Sequence, residues 1–203
     1  MKKIILAVAA VCTFGFANAQ DANSFGFTKG DVLVEGNFTF RSTNNKNTEV
    51  KENQSQFNPK VGYFLTDKFA LGVELGVGSS NAQTRGISTS ESSNFSAGVF
   101  GRYYFLDLGQ RFKTYAEAGV GFGNTRTGIG AAEVESSGVG FGAGLGINYF
   151  ISKSFAINFG LTDILSFNSS KVENGEPVSS FNANANIFNN FFTTAQFGLT
   201  YKF

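Results

Sequence analysis

Histidine and tryptophan are absent from this sequence of 203 residues, and cysteine and proline are scarce. Without histidine, the hydrolase and protease chemistries that pair a nucleophile with a histidine base are excluded. A pair of carboxylates such as Glu74 and Glu117 remains for acid–base chemistry, but nothing in the sequence marks a substrate cleft beside them. We therefore expect no enzymatic activity.

A strong charge of either sign is also missing. The 16 Lys and Arg residues nearly balance the 15 Asp and Glu residues, whereas a nucleic-acid partner favours a basic stripe. The glycines that alternate from Gly138 to Gly146 have the period of a strand, and no helix follows them as it would in a phosphate loop. The sequence also lacks a cluster of metal ligands. We expect no nucleic-acid partner, no cofactor and no metal.

The N-terminus reads as a secretory signal. Lys2 and Lys3 precede a mostly apolar run over residues 4–16, and Ala17 and Ala19 give the small-x-small pattern of a cleavage site. The sequence therefore predicts a cleaved signal peptide over residues 1–19, a short periplasmic N-terminal segment over 20–30 and one domain over 31–203.

Long apolar runs are absent beyond this signal. Cys12, the only cysteine, lies inside the signal after Val11, where a lipoprotein signal has a small residue, so we expect neither lipidation nor a disulfide. No later segment approaches the roughly 18 apolar residues that a membrane helix needs. A chain of this kind crosses a membrane only with strands.

Phenylalanine and glycine are abundant, with 25 residues of each, and they follow a period of two. Over residues 31–41 the odd positions are mostly polar and the even positions mostly apolar. Such alternation predicts strands with one polar and one apolar face. The pattern recurs in eight segments, at residues 31–41, 57–65, 69–77, 95–105, 114–122, 138–149, 155–161 and 191–203.

The connections between the predicted strands alternate in length. Short turns fall at 66–68, 106–111 and 150–154, and long polar loops fall at 42–55, 79–92, 124–136 and 168–189. Short periplasmic turns and long extracellular loops are typical of bacterial outer-membrane barrels, which have an even number of strands. We expect an all-β fold: a closed, antiparallel, up-and-down barrel of eight strands with both termini periplasmic. The break in alternation at 163–165 predicts either a bulge in strand seven or an extension of that strand above the membrane.

A soluble barrel with an apolar interior is the main alternative fold. One face of the predicted strands carries most of the Val, Leu and Ile residues, and the other carries Gly, Asn, Ser, Thr and the charges. Interior strand glycines suit a narrow lumen better than a watery surface. We therefore expect the apolar faces to meet lipid. Aromatic residues near the short turns predict an interfacial girdle, formed by Tyr63, Phe69, Tyr103, Phe105, Phe112, Tyr149, Phe155, Tyr201 and Phe203.

The C-terminus matches the assembly signal of outer-membrane barrels at Gln196, Gly198, Tyr201 and Phe203. With the eight alternating segments, this makes residues 30–203 resemble the small eight-stranded outer-membrane proteins of the OmpA-transmembrane and OmpX type, within the outer-membrane β-barrel domain group. The resemblance implies a bacterial outer-membrane location. It also implies lipid and the barrel-assembly machinery as partners, and leaves any extracellular partner open.

Five charged residues fall on the predicted inner face, namely Glu35, Lys60, Glu74, Arg102 and Glu117. Their distances from the short turns place them in one layer, where unpaired charges would be costly. They form either a structural network that fills the lumen or a gate that opens by exchange of ion-pair partners. The structural reading is favoured because buried pairs are usually structural.

Three functions remain open from the sequence. The leading one is a structural or surface-interacting barrel that exposes four long extracellular loops. The first alternative is a narrow pore for ions or small solutes, either gated or permanently open. A lumen that binds a small ligand is less favoured, because the inner face shows little apolar lining. Phe181, Ile187 and Phe188 in the longest loop contact a partner, pack onto neighbouring loops, or extend strands seven and eight.

Overall fold

The computed structural model describes residues 25–129, 133–184 and 196–203. The predicted signal, with Ala17 and Ala19, lies outside the described residues. Among the described residues, no helix has the length and hydropathy that crossing a membrane requires. The strands are β1 (Val32–Asn45), β2 (Val50–Phe64), β3 (Phe69–Thr84), β4 (Ile87–Leu108), β5 (Phe112–Gly128), β6 (Val134–Phe150), β7 (Phe155–Val172), β8 (Pro177–Ala183) and β9 (Gln196–Lys202).

The nine described strands occupy eight positions in a closed antiparallel barrel. From β1 to β7 each strand pairs with the next, and β9 pairs with both β7 and β1 to close the ring. β8 and β9 share one position, because β8 pairs with the C-terminal half of β7 and β9 pairs with its N-terminal half. The predicted eight-stranded barrel is confirmed. Of the predicted last strand, residues 191–195 lie outside the described residues.

The strands are staggered around the ring. Starting at Val34 and following paired residues through β2 to β6, the path reaches Phe167 on β7. In the other direction it passes through Tyr201 and reaches Phe155, so the two paths meet β7 twelve residues apart. A stagger of this kind accompanies the strand tilt of closed barrels.

The predicted bulge in β7 is present. Ala143 pairs with Leu165, but the next residue, Gly144, pairs with Asp163, so the pairing skips Ile164. A second shift lies between Leu145 and Gly146. Each shift places an extra residue on β7, which bends the strand locally. β7 also continues to Val172, well past the alternating segment that ends at 161, so the strand is extended as well as bulged.

Apolar side chains cover the outside of the barrel. Between 37% and 66% of the surface of each is exposed for Phe38, Val61, Leu71, Val73, Val99, Val120, Phe122, Val139, Phe141, Phe197 and Leu199. Soluble monomers rarely expose a continuous apolar surface of this extent, whereas hydrocarbon accepts it. The predicted outward orientation of the apolar faces is confirmed, and it excludes the soluble barrel.

The two ends of the barrel differ. We call the end where β1 begins and β9 ends the base, and the opposite end the mouth. Outward aromatic rings contact one another near the base, with 4.7 Å between the ring centres of Phe112 and Tyr149 and 5.4 Å between those of Phe155 and Tyr201. Phe203 adds a ring 4.5 Å from that of Tyr201. The rings lie beside the short turns, in the arrangement of an aromatic girdle.

At the mouth, the prediction of four long loops is wrong for the described residues. Most of the predicted loop residues extend the strands, and the connections between strands are 46–49, 85–86, 129–133 and 173–176. At the base the connections are 65–68, 109–111 and 151–154. In the β3–β4 hairpin, Arg85 and Gly86 have φ of 53° and 77°, as a two-residue type I′ turn requires.

We call the belt of outward apolar side chains the apolar band, and the parts of the strands between it and the mouth the extensions. The sequence did not predict the extensions because the alternation of polar and apolar residues ends at the apolar band. In the extensions both faces of the strands are mostly polar, with scattered apolar residues such as Ile87 and Phe181, and only pairing identifies them as strands. Serine and asparagine side chains bond across them, with Ser55 3.1 Å from Ser79, Ser169 3.0 Å from Ser179, and Ser42 2.9 Å from Asn53. Such cross-strand pairs stabilise a sheet without an apolar face.

Candidate functional site in the barrel lumen

Five charged side chains meet inside the barrel toward its base. Arg102 donates to both carboxylate oxygens of Glu35, at 2.9 and 3.0 Å, and its Nε donates to Glu117 at 2.7 Å. The Nζ of Lys60 lies 2.5 Å from Glu117 and 2.8 Å from Glu74. The structure thus joins all five residues that the sequence places on the inner face. Glu117 is the link between the two cations.

Strand register explains part of this layer. Lys60 pairs across the sheet with Glu74, and Arg102 pairs with Glu117, so these contacts are between neighbouring strands. Glu35 also lies opposite Lys60 in the register, yet its oxygens accept from Arg102 on β4. The Arg102–Glu35 contact therefore crosses the lumen from one wall to another. We call the five residues the charged floor.

Neutral side chains complete the floor. Asn158 and Thr200 each donate to Oε2 of Glu35, at 3.0 and 2.9 Å. Asn148 in turn donates to Thr200 at 3.0 Å and accepts from Tyr104 at 2.9 Å. Together with the floor these residues come from β1 to β7 and β9, so every position of the barrel contributes.

Burial determines how much these contacts matter for the stability of the barrel. The Arg102 side chain is 1% exposed and that of Glu35 is 5% exposed. A charge buried to this degree is costly unless it is paired and fully hydrogen-bonded. The guanidinium of Arg102 also lies 4.0 Å from the centre of the Tyr115 ring, a favourable cation–π distance. Arg102 is therefore held on several sides.

An aromatic layer lies below the charged floor, at the base. Phe27 stacks on Phe64 with 4.3 Å between ring centres, and it also contacts Tyr104 and Phe150 at 5.0 and 5.3 Å. Leu33, Ala70 and Ala156 are buried in the same cluster. The sequence prediction of an inner face with little apolar lining is thus wrong at the base. We call this cluster the aromatic plug.

The plug depends on the segment before β1. Phe27 comes from this segment, whose backbone is bonded to the barrel where Gly30 donates to the carbonyl of Phe64 at 2.9 Å. Lys202, the penultimate residue, donates to the carbonyl of Gly26 at 2.9 Å. Arg111 lies 4.5 Å from the centre of the Phe25 ring. Residues 25–30 therefore close the base from below.

A hollow of 720 Å³ lies on the mouth side of the floor. Asn58 and Ser96 line one wall, and Ser166 and Asn168 line another. Between them the wall consists of glycines on β5 and β6, which pair as Gly119 with Gly142, Gly121 with Gly140 and Gly123 with Gly138. This volume is within the range of small-molecule sites. We call it the vestibule.

The glycines of β6 have two different roles. A Cβ on Gly146 would lie 2.2 Å from the Tyr115 ring, so this glycine makes room for the tyrosine beside Arg102. A Cβ on Gly142 would meet nothing nearer than the Leu165 carbonyl at 4.0 Å. The first glycine accommodates a side chain of the floor, and the second leaves the vestibule empty.

The predicted assembly-signal residues lie along β9 and at its end. Gln196 and Gly198 pair with β7, and Tyr201 pairs with both β7 and Val34 of β1. Phe203 exchanges two backbone hydrogen bonds with Val32, at 3.0 and 3.2 Å. These four residues therefore run beside the seam where the ring closes.

Sequence reasoning found the charges but missed their neutral partners. Asn148, Asn158 and Thr200 lie on the same inward face as the predicted charges of neighbouring strands. The signal that could have found them is that each occupies a polar-face position in its alternating strand. Phe27 gave no such signal, because it precedes the first alternating segment.

Among the described residues, no group of histidine, cysteine, aspartate and glutamate is placed to hold a metal ion.

A family model described as outer membrane protein beta-barrel domain matches residues 5–203 of this chain. No curated relative matches at a significant level.

Solved outer-membrane proteins are similar to the chain at low identity. The outer membrane protein OprG from Pseudomonas aeruginosa is 16% identical, with 89% of this chain and 99% of that chain covered and a TM-score of 0.49. Outer Membrane Protein W of E. coli is also 16% identical, with 87% and 99% covered and a TM-score of 0.47. Ail, the attachment invasion locus protein of Yersinia pestis, is 15% identical, with 87% and 100% covered and a TM-score of 0.44. The assignment of this chain to a family rests on the match to the family model.

Proposed function

This chain belongs to the outer membrane protein beta-barrel domain family, and on that premise we propose that it is a non-enzymatic barrel with a structural or surface-interaction role and a lumen that conducts no solute. The observation that carries the proposal is the double closure of the lumen. A conducting barrel needs a continuous aqueous path. Here the charged floor and the aromatic plug lie one below the other across that path.

Each layer closes the lumen by itself. In the floor, side chains from every barrel position are bonded to one another, and Arg102 spans the gap between β4 and β1. In the plug, Phe27 fills the centre between Phe64, Tyr104 and Phe150. Loss of one layer leaves the other in place, which supports a structural lumen over a pore.

The extended strands support the surface role. From the apolar band at Phe95, β4 continues to Ile87, a distance of roughly 25 Å along the strand at the usual rise per residue. The extensions are paired strands with short tips, so they offer a stiff polar surface instead of four long loops. A preorganised surface loses less conformational entropy on binding than a mobile loop does.

We also propose an orientation for the chain. Both termini and the base face the periplasm and the mouth faces outward, as the usual placement of short turns in bacterial barrels suggests. The signal over residues 1–19 is removed, lipid surrounds the apolar band, and the assembly machinery reads the strand that holds Gln196, Gly198, Tyr201 and Phe203.

A gated pore is the alternative function, and one observation favours it. Glu117 is shared between Lys60 and Arg102, at 2.5 and 2.6 Å. An acid with two cationic partners is placed to exchange them. The aromatic plug opposes this reading, since exchange within the floor would leave the base closed.

Conductance in planar bilayers separates the two functions. We expect the folded chain to insert without stable current steps, and Arg102→Gln to remain silent because the plug still closes the base. Migration that differs before and after boiling on a denaturing gel checks that each sample is a folded barrel. Steps from the unsubstituted chain would overturn the sealed lumen, and steps from Arg102→Gln alone would show that the plug does not close the base and would favour the gate.

A further inference from the structure

The vestibule is larger than a small barrel of this kind requires. In an eight-stranded barrel the interior is just wide enough to be filled by side chains. Here the paired glycines of β5 and β6 leave one wall bare, and a Cβ on Gly142 would meet open space. The resulting 720 Å³ reaches from the mouth side down to the charged floor. The hollow therefore has room for a small organic molecule.

The floor of this hollow has an excess of negative charge. The vestibule is lined by only five charged side chains among the described residues, three carboxylates and two cations. Both oxygens of Glu35 accept from Arg102, and the two oxygens of Glu117 contact Lys60 and Arg102. Glu74 has a single cationic partner, Lys60, which it shares with Glu117. It is therefore the carboxylate of the floor with the least compensated charge.

Glu74 points one oxygen into the hollow. Its Oε2 lies 2.8 Å from Lys60, while no side chain in the described part of the chain donates to its Oε1. That Oε1 lies 3.1 and 3.8 Å from the places where Gly98 of β4 and Gly119 of β5 would carry a Cβ, so it faces glycines and not side chains. The Glu74 side chain is 34% exposed, twice as much as that of Lys60. It is the most accessible member of the Lys60–Glu74 pair.

We propose that the vestibule binds a small organic cation, whose ammonium group donates to Oε1 of Glu74 and whose polar body fills the hollow. A charge-assisted hydrogen bond of this kind is stronger than a neutral one. Asn58, Ser96, Ser166 and Asn168 line the walls and offer amide and hydroxyl groups to the body of the ligand.

Other ligand classes fit less well. A metal ion such as Ca²⁺ takes six or more oxygen ligands, whereas the floor offers one carboxylate oxygen that is not already bonded. An anion would meet the negative excess of the floor. A neutral sugar would leave the net negative charge of the floor uncompensated. The ammonium group is the chemistry that satisfies both the charge and the single free acceptor.

A nuclear magnetic resonance titration of the folded chain in detergent micelles tests the proposal, with ethanolamine at neutral pH as the probe. We expect saturable shifts of the backbone amide signals of Gly119, Gly121, Gly140 and Gly142. Equal concentrations of ethylene glycol, acetate and potassium chloride serve as neutral, anionic and bare-cation probes, and we expect no saturable shift from them.

Three variants show whether the binding occurs in the vestibule. Glu74→Gln should weaken binding by about tenfold or more, because it removes the charge from the bond. Gly142→Leu should abolish binding by filling the hollow, whereas Ala118→Leu, on the exposed outer face of β5, should leave it unchanged. Absence of saturable shifts, or equal affinity in Glu74→Gln and the unsubstituted chain, would overturn the proposal. Equal shifts from potassium chloride would reduce it to adventitious cation binding.

Discussion

At the scale of single residues, Arg102 determines whether the floor is stable. Its guanidinium makes bonds to two carboxylates and lies against the Tyr115 ring, and it is almost completely buried. Without it, Glu35 would retain only the neutral donors Asn158 and Thr200. A buried carboxylate that loses its cation is far more costly than a pair that is removed together.

This asymmetry gives a prediction for two variants. Arg102→Met should lower the free energy of unfolding by about 3–5 kcal/mol, because Glu35 is left as an uncompensated buried charge. The double variant Arg102→Met with Glu35→Met should lose less than the single variant. Urea unfolding of the barrel in lipid vesicles measures both. A double variant less stable than the single one would contradict the account.

The limits of sequence reasoning are visible at the same scale. The five charged residues of the floor were predictable because each lies on the polar face of an alternating strand, namely Glu35, Lys60, Glu74, Arg102 and Glu117. Their exact pairing was not, since Arg102 bonds to its strand neighbour Glu117 and also reaches Glu35 across the lumen. Contacts across a lumen depend on barrel closure and stagger, which no local pattern encodes.

At the scale of elements, the strands show where the alternating signal stops. Hydrophobic alternation needs one face in lipid and the other in the lumen, and that condition ends near Phe57, Val77 and Phe95. Beyond these residues both faces are mostly polar and no regular alternation remains, so the paired extensions look like loops in the sequence. The bulge in β7 was predictable because it lies within the apolar band, where a break in alternation is visible.

The extensions should resist proteolysis although their composition is that of loops. Trypsin cleaves segments that are locally unfolded, and residues that are paired within a strand are rarely unfolded. In the folded protein, cleavage should be fast at Lys46, in the tip between β1 and β2, and slow at Arg41 and Arg126, which are paired within β1 and β5. Mass spectrometry of timed digests gives the order of cleavage. Equal rates at the three sites would show that the extensions behave as loops.

At the scale of the whole molecule, the barrel is asymmetric along its axis. The mouth leads into an open vestibule, and the base is closed by the charged floor, the aromatic plug and the segment over residues 25–30. The closed barrel and its outward apolar band were predictable from alternation and an even strand count. The plug was not, because Phe27 lies outside every alternating segment and its place is set only once the barrel has closed around it.

The described chain has no cysteine, so a single introduced thiol reports which side of the floor water reaches. Gly142→Cys places a thiol in the vestibule, and Ala70→Cys places one in the buried plug with little change in volume. The measurement is labelling of intact cells with a membrane-impermeant maleimide, with the unsubstituted chain as the background. A barrel that is open outward and sealed at its base predicts rapid labelling of Gly142→Cys and none of Ala70→Cys. Labelling of both thiols, or of Ala70→Cys alone, would contradict it.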